Sequence, residues 1–355
     1  MAISIDRIRE AAEVIDPAFK DSPQFLAESL SERLGANIVL KVECVNPIRS
    51  FKGRGTDYLL HRLGNRPEGL ICASAGNFGQ GMAYAARKRG QRLTVVAAVT
   101  ANPLKISRMR ALGAEVLLAG ADFDAAKAVA KEHAQASGAV YVEDGLLPEI
   151  AEGAGTIALE LDRMKGQLDA IYVPLGNGSL INGIGAWFKH FSPATAVVGV
   201  CAEGAPSMEL SWRAGNPVST DTAATIADGI GVRVPVPEAL AAMRATVDEV
   251  MLVSDREIVD AMRLLLRETG LAVEPAGAAG LAAIAKRRKE LEGRRVATPL
   301  CGGNLTEDQI RSFLLPLEVG QEVEGGQRPS LREDIRHRLA QAGLHGSGQL
   351  NPDTQ

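Results

Sequence analysis

From about residue 37 to residue 314 this chain alternates short apolar runs with amphipathic runs of helical length, and that alternation limits what it can fold into. The apolar runs are NIVLKVE (37–43), LICAS (70–74), LTVVAAV (93–99), AEVLLA (114–119), AIYVPL (170–175), AVVGVCA (196–202), EVMLVS (249–254) and RVATPL (295–300). Near-continuous apolar strands separated by helices mark parallel sheets covered on both faces. The pattern predicts an α/β protein, and its two blocks of repeats predict two Rossmann-like layers. At 355 residues the chain can bury a large core in one or two domains. Its opening, MAISIDRIREAAEVID, is charged and reads as a helix, not as a secretory leader. Residues 325–355 turn polar, with one short helical pattern (SLREDIRHRLAQA), and the last ten residues read as a flexible end.

Several function classes are disfavoured by composition. Lys+Arg 39 against Asp+Glu 43 gives a net charge of -4, whereas a protein that tracks phosphate backbones is normally basic, so no nucleic-acid partner is expected. The cysteines, Cys44, Cys72, Cys201 and Cys301, have no CxxC spacing, which argues against a disulfide framework and a structural zinc, and for a reduced, cytoplasmic setting. The histidines at 61, 133, 190, 337 and 345 have no ligand spacing, so no metal site is expected. One stretch, 170–188, is uncharged and near membrane-spanning length. Its glycines, Pro174, Asn177 and Asn182 fit a strand, a turn and a helix better, so no membrane partner is expected.

In open α/β sheets ligands sit beyond the carboxyl ends of the strands. Polar, glycine-rich turns follow apolar runs at NPIRSFKGRG (46–55), SAGNFGQG (74–81), GNGSLINGIG (176–185) and CGGN (301–304), and together they predict one shared site. GNGSLINGIG opens a helix and can aim backbone N–H groups at an anion; a plain tight turn, or a dinucleotide fingerprint completed by Glu203, would also account for it. Lys52, between Phe51 and Gly53, is either a solvated charge or a desolvated amine able to form a Schiff base. SAGNFGQG offers a carboxylate cradle, or ordinary capping by Ser74 or Asn77. Cys301 is a site residue or a small buried apolar one.

Taken together, these turns resemble the fold-type II pyridoxal-phosphate enzymes, specifically the serine/threonine dehydratase group, over about residues 18–315. The resemblance implies two open, twisted parallel-sheet domains of the tryptophan synthase β type with the cofactor in the cleft. The large domain would be 1–50 plus 146–320, the small domain 51–145, and 321–355 a C-terminal helix and flexible tail. It places the Schiff-base lysine on Lys52, beside Phe51. It puts substrate carboxylate on Ser74, Ala75, Gly76, Asn77 and Phe78, with Asn77 also meeting the cofactor's phenolic oxygen. The phosphate of pyridoxal 5'-phosphate would lie on Gly176, Asn177, Gly178, Ser179 and Leu180. CGGN is similar to the family's SGGN, which sets Cys301 against the pyridine nitrogen. GVCAEGAPSM, TIADGIGV and VEPAGAAGLAA match the family pattern as well.

The resemblance implies a homodimer that β-eliminates a β-hydroxy-α-amino acid (L-threonine, L-serine or a bulkier analogue such as phenylserine or hydroxyaspartate) to a 2-oxo acid and ammonia. Lys52 would take the α-proton, and Cys301, a weak neutral donor, would leave the pyridine nitrogen unprotonated and favour prompt elimination. Departures from the family pattern sharpen this. Phe78 stands where most members have His, Asn177 and Ser179 replace two glycines, and Ala75 stands where racemases carry a second acid/base Ser. Cys201 stands where some relatives bind a divalent cation, and a site displaced to Glu203 or Glu209 has no support in the sequence. No regulatory domain is expected after residue 325. Two other readings stay open: a β-replacement synthase of the same fold, and a nicotinamide-dependent oxidoreductase that would ignore Lys52.

Overall fold

Each apolar run expected as a strand is a strand in the computed structural model, which describes residues 2–315. In chain order the strands are β1 (Gln24–Leu26), β2 (Asn37–Val42), β3 (Leu70–Ala73), β4 (Leu93–Ala97), β5 (Glu115–Leu118), β6 (Val140–Val142), β7 (Ala170–Pro174), β8 (Ala196–Ala202), β9 (Glu249–Val253) and β10 (Arg295–Leu300). They form a six-stranded sheet in the order β1-β2-β10-β7-β8-β9 and a four-stranded sheet in the order β5-β4-β3-β6. Every pairing is parallel except the edge pair β1–β2, which is antiparallel with Phe25 opposite Leu40. β1 and β6 were not read as strands from the sequence. At three residues each they are too short to show a period of two.

Both faces of each sheet are covered by helices, which is why the strands are apolar throughout. On one face of the large sheet Ile38, Leu40, Tyr172 and Val200 pack against the helices Asp255–Thr269 and Pro275–Lys286. On the other, Val39, Ile171 and Val173 meet the helices Pro148–Asp162 and Ser179–Phe191. The small sheet buries Cys72 and Val95 against the Asn77–Lys88 helix on one side, and Ile71 and Val96 against the Phe123–Ser137 helix on the other. The uncharged stretch checked for a membrane span is β7, a turn and the Ser179–Phe191 helix. No described helix is long and apolar enough to cross a membrane. The helix and tail expected over 321–355 lie outside the described residues.

β10 is last in sequence but central in space, lying between β2 and β7. It also carries Pro299, an unusual residue in an interior strand because it has no N–H to give the ladder. The register resolves this. β10 pairs with β2 along its whole length, from Arg295 opposite Asn37 to Leu300 opposite Val42, whereas its ladder with β7 covers only Val296 and Ala297 and ends before the proline.

Three helices that carry or support the cavity described below pack closely through glycines. A Cβ on Gly153 of the Pro148–Asp162 helix would stand 2.6 Å from the Arg54 carbonyl oxygen of the Lys52–Leu63 helix. A Cβ on Gly183 of the Ser179–Phe191 helix would collide with the Ala151 carbonyl oxygen. Beneath this junction lies a buried ionic cluster. Arg54, fully buried, donates to Glu43 Oε2 at 2.8 Å, to Glu160 Oε1 at 2.6 Å and to Thr156 Oγ1 at 2.9 Å. Lys41, a charge inside β2, pairs with the same Glu160. The two cations and two carboxylates neutralise one another, the condition under which buried charges are tolerated.

Candidate active site

Loops at the carboxyl ends of β2, β3, β6, β7 and β10 converge on one cavity of about 550 Å³. Phe51, Lys52, residues 74–78, residues 176–180 and Cys301 all line it, so every residue expected at the site from the sequence is brought to one place.

The lysine loop owes its shape to Asn46. Its Oδ1 accepts from the backbone N–H of Ile48 and Ser50, each at 3.2 Å, and its Nδ2 donates to the Glu43 and Ser50 carbonyls at 2.8 and 3.0 Å. The loop is pinned to the end of β10 by the Phe51 N–H, which donates to the Cys301 carbonyl at 3.1 Å, and by a bridge between Ser50 and Gly302. Lys52 is the first residue of its helix, one turn earlier than the sequence pattern suggested. Its Nζ lies 4.8 Å from the Phe51 ring centroid and 5.8 Å from that of Phe78. It ion-pairs with Asp144 Oδ2 at 2.6 Å, and the two side chains are only 14% and 13% exposed.

The turn after β7 delivers an anion cradle. Gly178 has φ +89, a left-handed conformation that favours glycine, and no side chain caps the helix that begins at Ser179. That helix has no acidic residue in its first turn, so its free N–H groups and dipole favour a negative guest. The Ser179 hydroxyl is already committed, donating to Asp144 Oδ1 at 2.9 Å. Its backbone N–H is therefore the more available donor.

The loop after β3 divides its work. Ser74 Oγ accepts from the N–H groups of Gly76 at 3.2 Å and Gly79 at 2.9 Å, so the serine caps the Asn77–Lys88 helix while lining the cavity. Asn77 donates through Nδ2 to Glu274 Oε1 at 2.6 Å and accepts at Oδ1 from Asn304 Nδ2 at 2.8 Å. Glu274 also accepts from the Asn304 N–H at 3.1 Å. Burial, reinforced by Asp228, pushes the Glu274 carboxyl above its usual range, despite the opposing charge of Lys105 and the hydrogen bonds from Asn77 and Asn304. Cys301 is 5% exposed, and its thiol donates to the Ala276 carbonyl at 3.6 Å. Burial, and next the Glu274 charge, drive that thiol far above the ordinary thiol range, so it is uncharged.

Sequence reasoning missed Asp144, Glu274, Lys105, Asp228, Arg233 and Asp124. All six line the cavity, and Lys105–Asp228 and Arg233–Asp124 are ion pairs at its wall. VEPAGAAGLAA and TIADGIGV were matched as patterns without a role for Glu274 or Asp228, and nothing in local spacing singles out the others. Of the residues considered for a displaced cation, Cys201 Sγ is buried and directed at the Leu175 carbonyl, while Glu203 and Glu209 pair with Lys286 and Arg213.

A nearly buried amine, an uncapped helix start for a phosphate, and an uncharged thiol lining the same cavity fit pyridoxal 5'-phosphate. The chain is 34% identical over 329 residues to "Threonine dehydratase 1 biosynthetic, chloroplastic" of Solanum lycopersicum, covering 91% of this chain and 54% of that one. It is 35% identical over 310 residues to "L-threonine ammonia-lyase" of Thermotoga maritima, covering 87% and 77%. It thus spans little more than half the length of the tomato relative. Among solved structures, the processed form of threonine deaminase isoform 2 from Solanum lycopersicum superposes with a TM-score of 0.80 at 31% identity, covering 87% of this chain and 92% of that one. Maize serine racemase superposes at 0.83 and 26%, covering 97% and 100%. These are fold-type II structures, two-sheet α/β folds of the kind seen here. A family model described as "Pyridoxal-phosphate dependent enzyme" matches residues 15–302, which take in every strand of both sheets, and this chain belongs to that family of pyridoxal-phosphate dependent enzymes.

Proposed function

We propose that this enzyme β-eliminates a β-hydroxy-α-amino acid, with L-threonine and L-serine the first candidates, to a 2-oxo acid and ammonia. The observation that carries the reading is Lys52: a nearly buried amine in the shared cavity, across from the uncapped start of the Ser179–Phe191 helix. The threonine dehydratase relatives support the choice of substrate class. When bound, the cofactor supplies the electron sink for charge left at the substrate α-carbon. Lys52 Nζ is the base that takes the α-proton, and its helix and the Asn46-braced loop fix the direction from which it does so. The backbone N–H groups of Ala75, Asn77 and Phe78 would receive the substrate carboxylate, the Gly76 N–H being held by Ser74, while residues 176–180 would hold the cofactor phosphate. Asn77, held by Glu274 and Asn304, would contact the bound cofactor, and Cys301 would offer it an uncharged thiol. Ala75 has no proton to deliver to the opposite face, which favours elimination over racemisation. Phe78 makes one wall apolar, so phenylserine and hydroxyaspartate belong beside threonine and serine in the substrate screen. The large and small domains expected over 1–50 plus 146–320 and over 51–145, a homodimer and a cytoplasmic location belong to the same reading.

The test is direct. Purified protein loaded with pyridoxal phosphate should show a visible absorbance band that borohydride removes, and should release 2-oxo acid from at least one of the four candidates. Lys52→Ala should lose that band and lower turnover by a factor on the order of 10²–10⁴ or more. Absence of 2-oxo acid from all four substrates, in coloured protein, sinks the elimination reading. Product that appears only with an O-activated serine and a second nucleophile points to β-replacement.

A further inference from the structure

One of the carboxylates lining the cavity, Asp144, is paired with the Lys52 amine and has no part in the reading above. Asp144 follows β6 in the turn VEDG, and its two oxygens face different parts of the site: Oδ2 meets Lys52 Nζ at 2.6 Å, and Oδ1 accepts from the Ser179 hydroxyl at 2.9 Å. The turn is pressed against the anion cradle. Gly145 has φ +87, and a Cβ there would stand 2.7 Å from the Asn177 carbonyl oxygen. Only glycine lets the backbone approach this closely in this conformation, so the turn that carries the carboxylate packs directly on the cradle. The nearest other titratable groups do not compete for Lys52. The Cys301 thiol at the end of β10 is uncharged, and burial pushes the Cys72 thiol of β3 up to about 12. Glu274 is engaged by Asn77 and Asn304, and lies near Lys105 and Asp228. Behind the lysine helix, Glu43 and Glu160 are neutralised by Arg54. Among the described residues, Asp144 is the one carboxylate paired with the Lys52 amine.

We propose that Asp144 is a positioning residue for Lys52. Its carboxylate holds the amine whenever the amine is free in the site and keeps it beside the cradle instead of letting it swing on its flexible stem. The proposal rests on the cofactor reading above. When Lys52 Nζ takes the α-proton, the C–H bond breaks, an N–H bond forms, and the resulting ammonium is received by a partner already in place.

Asp144→Asn keeps the size but removes the charge and turns one of the two accepting oxygens into a donor, and Asp144→Glu keeps the charge but displaces it by one methylene. The pH titration of the visible absorbance of the cofactor-loaded protein is compared in the three proteins, together with kcat and KM. Asp144→Asn should move the titration midpoint to lower pH, because a negative charge beside the nitrogen is lost. It should lower kcat with little change in KM and shift the acid limb of the kcat profile the same way. Asp144→Glu should keep the midpoint near that of the wild type while still losing rate. A midpoint in Asp144→Asn equal to that of the wild type, or no titration in either, overturns the proposal. If Asp144→Asn fails to fold, an Asp144→Glu midpoint displaced as far as the loss of a charge would displace it overturns the proposal on its own. Wild-type protein that never becomes coloured counts against the cofactor reading instead, so the two failures are told apart.

Discussion

Arg54 is two residues from Lys52, yet the two cations do opposite jobs. Lys52 keeps a small exposure to the cavity, whereas Arg54 is fully buried and spends its guanidinium on Glu43, Glu160 and Thr156. Removing it would leave Lys41 alone against two buried carboxylates, with Glu43 losing its guanidinium partner. Arg54→Met should therefore destabilise the fold by about 3–5 kcal/mol, measured by urea unfolding. The same cluster sets an acid limit. Burial works to raise the Glu160 carboxyl, but the hydrogen bond and charge of Arg54, with Lys41, outweigh it and leave the group below its usual value of 4.5. A carboxyl lowered in the folded state contributes stability that is present above 4.5 and lost as pH falls through the lower folded value. The wild-type protein should accordingly lose stability across that acid window. Arg54→Met, in which the stranded carboxylates gain from protonation, should show a flatter or reversed dependence there. Lys52 was readable in the sequence because SFKGRG sits at a strand end among glycines. Asp144 was not, because one acid in a turn looks like any of the 43 acidic residues until the fold brings it to the amine.

At the scale of elements, the longer strands were legible because each is an apolar run bounded by polar turns, and β1 and β6 were not because three residues carry no periodicity. The helices Glu28–Leu34, Ser207–Ala214 and Pro237–Thr246 were also unread. The glycines divide in a way the sequence did not show. Some serve the turns at the cavity, as Gly178 does, while Gly153 and Gly183 let helices touch backbone to backbone. Gly183→Ala should cost about 1–3 kcal/mol in unfolding free energy by overpacking that contact. Because its helix begins at the cradle, the same variant should also weaken pyridoxal phosphate binding, read as a higher cofactor concentration for half-maximal colour.

At the scale of the whole molecule, cofactor and fold are linked. A ligand that binds only the folded chain adds about 2.7 kcal/mol at a hundred times its Kd. Saturating pyridoxal phosphate should therefore raise the Tm of wild-type protein in a calorimetric scan by several degrees, and that of Lys52→Ala by less. The two-sheet plan was legible as two blocks of strands. The insertion of the final strand between β2 and β7 was not, since the order of strands in a sheet depends on pairings between segments far apart in the chain.

That insertion has a consequence for the order in which the protein is made. A nascent chain that has emerged only as far as residue 290 holds β2 and β7 but lacks the strand that joins them, so each presents an open edge of apolar backbone. Such edges are templates for mispairing between chains. The Cys301 wall and the bridge that pins the lysine loop arrive with the same strand. The catalytic cavity is thus closed by one late event. A chain ending before β10 should aggregate, with no partly active form, and the interval between the emergence of β9 and β10 is when this protein most needs protection from its own copies.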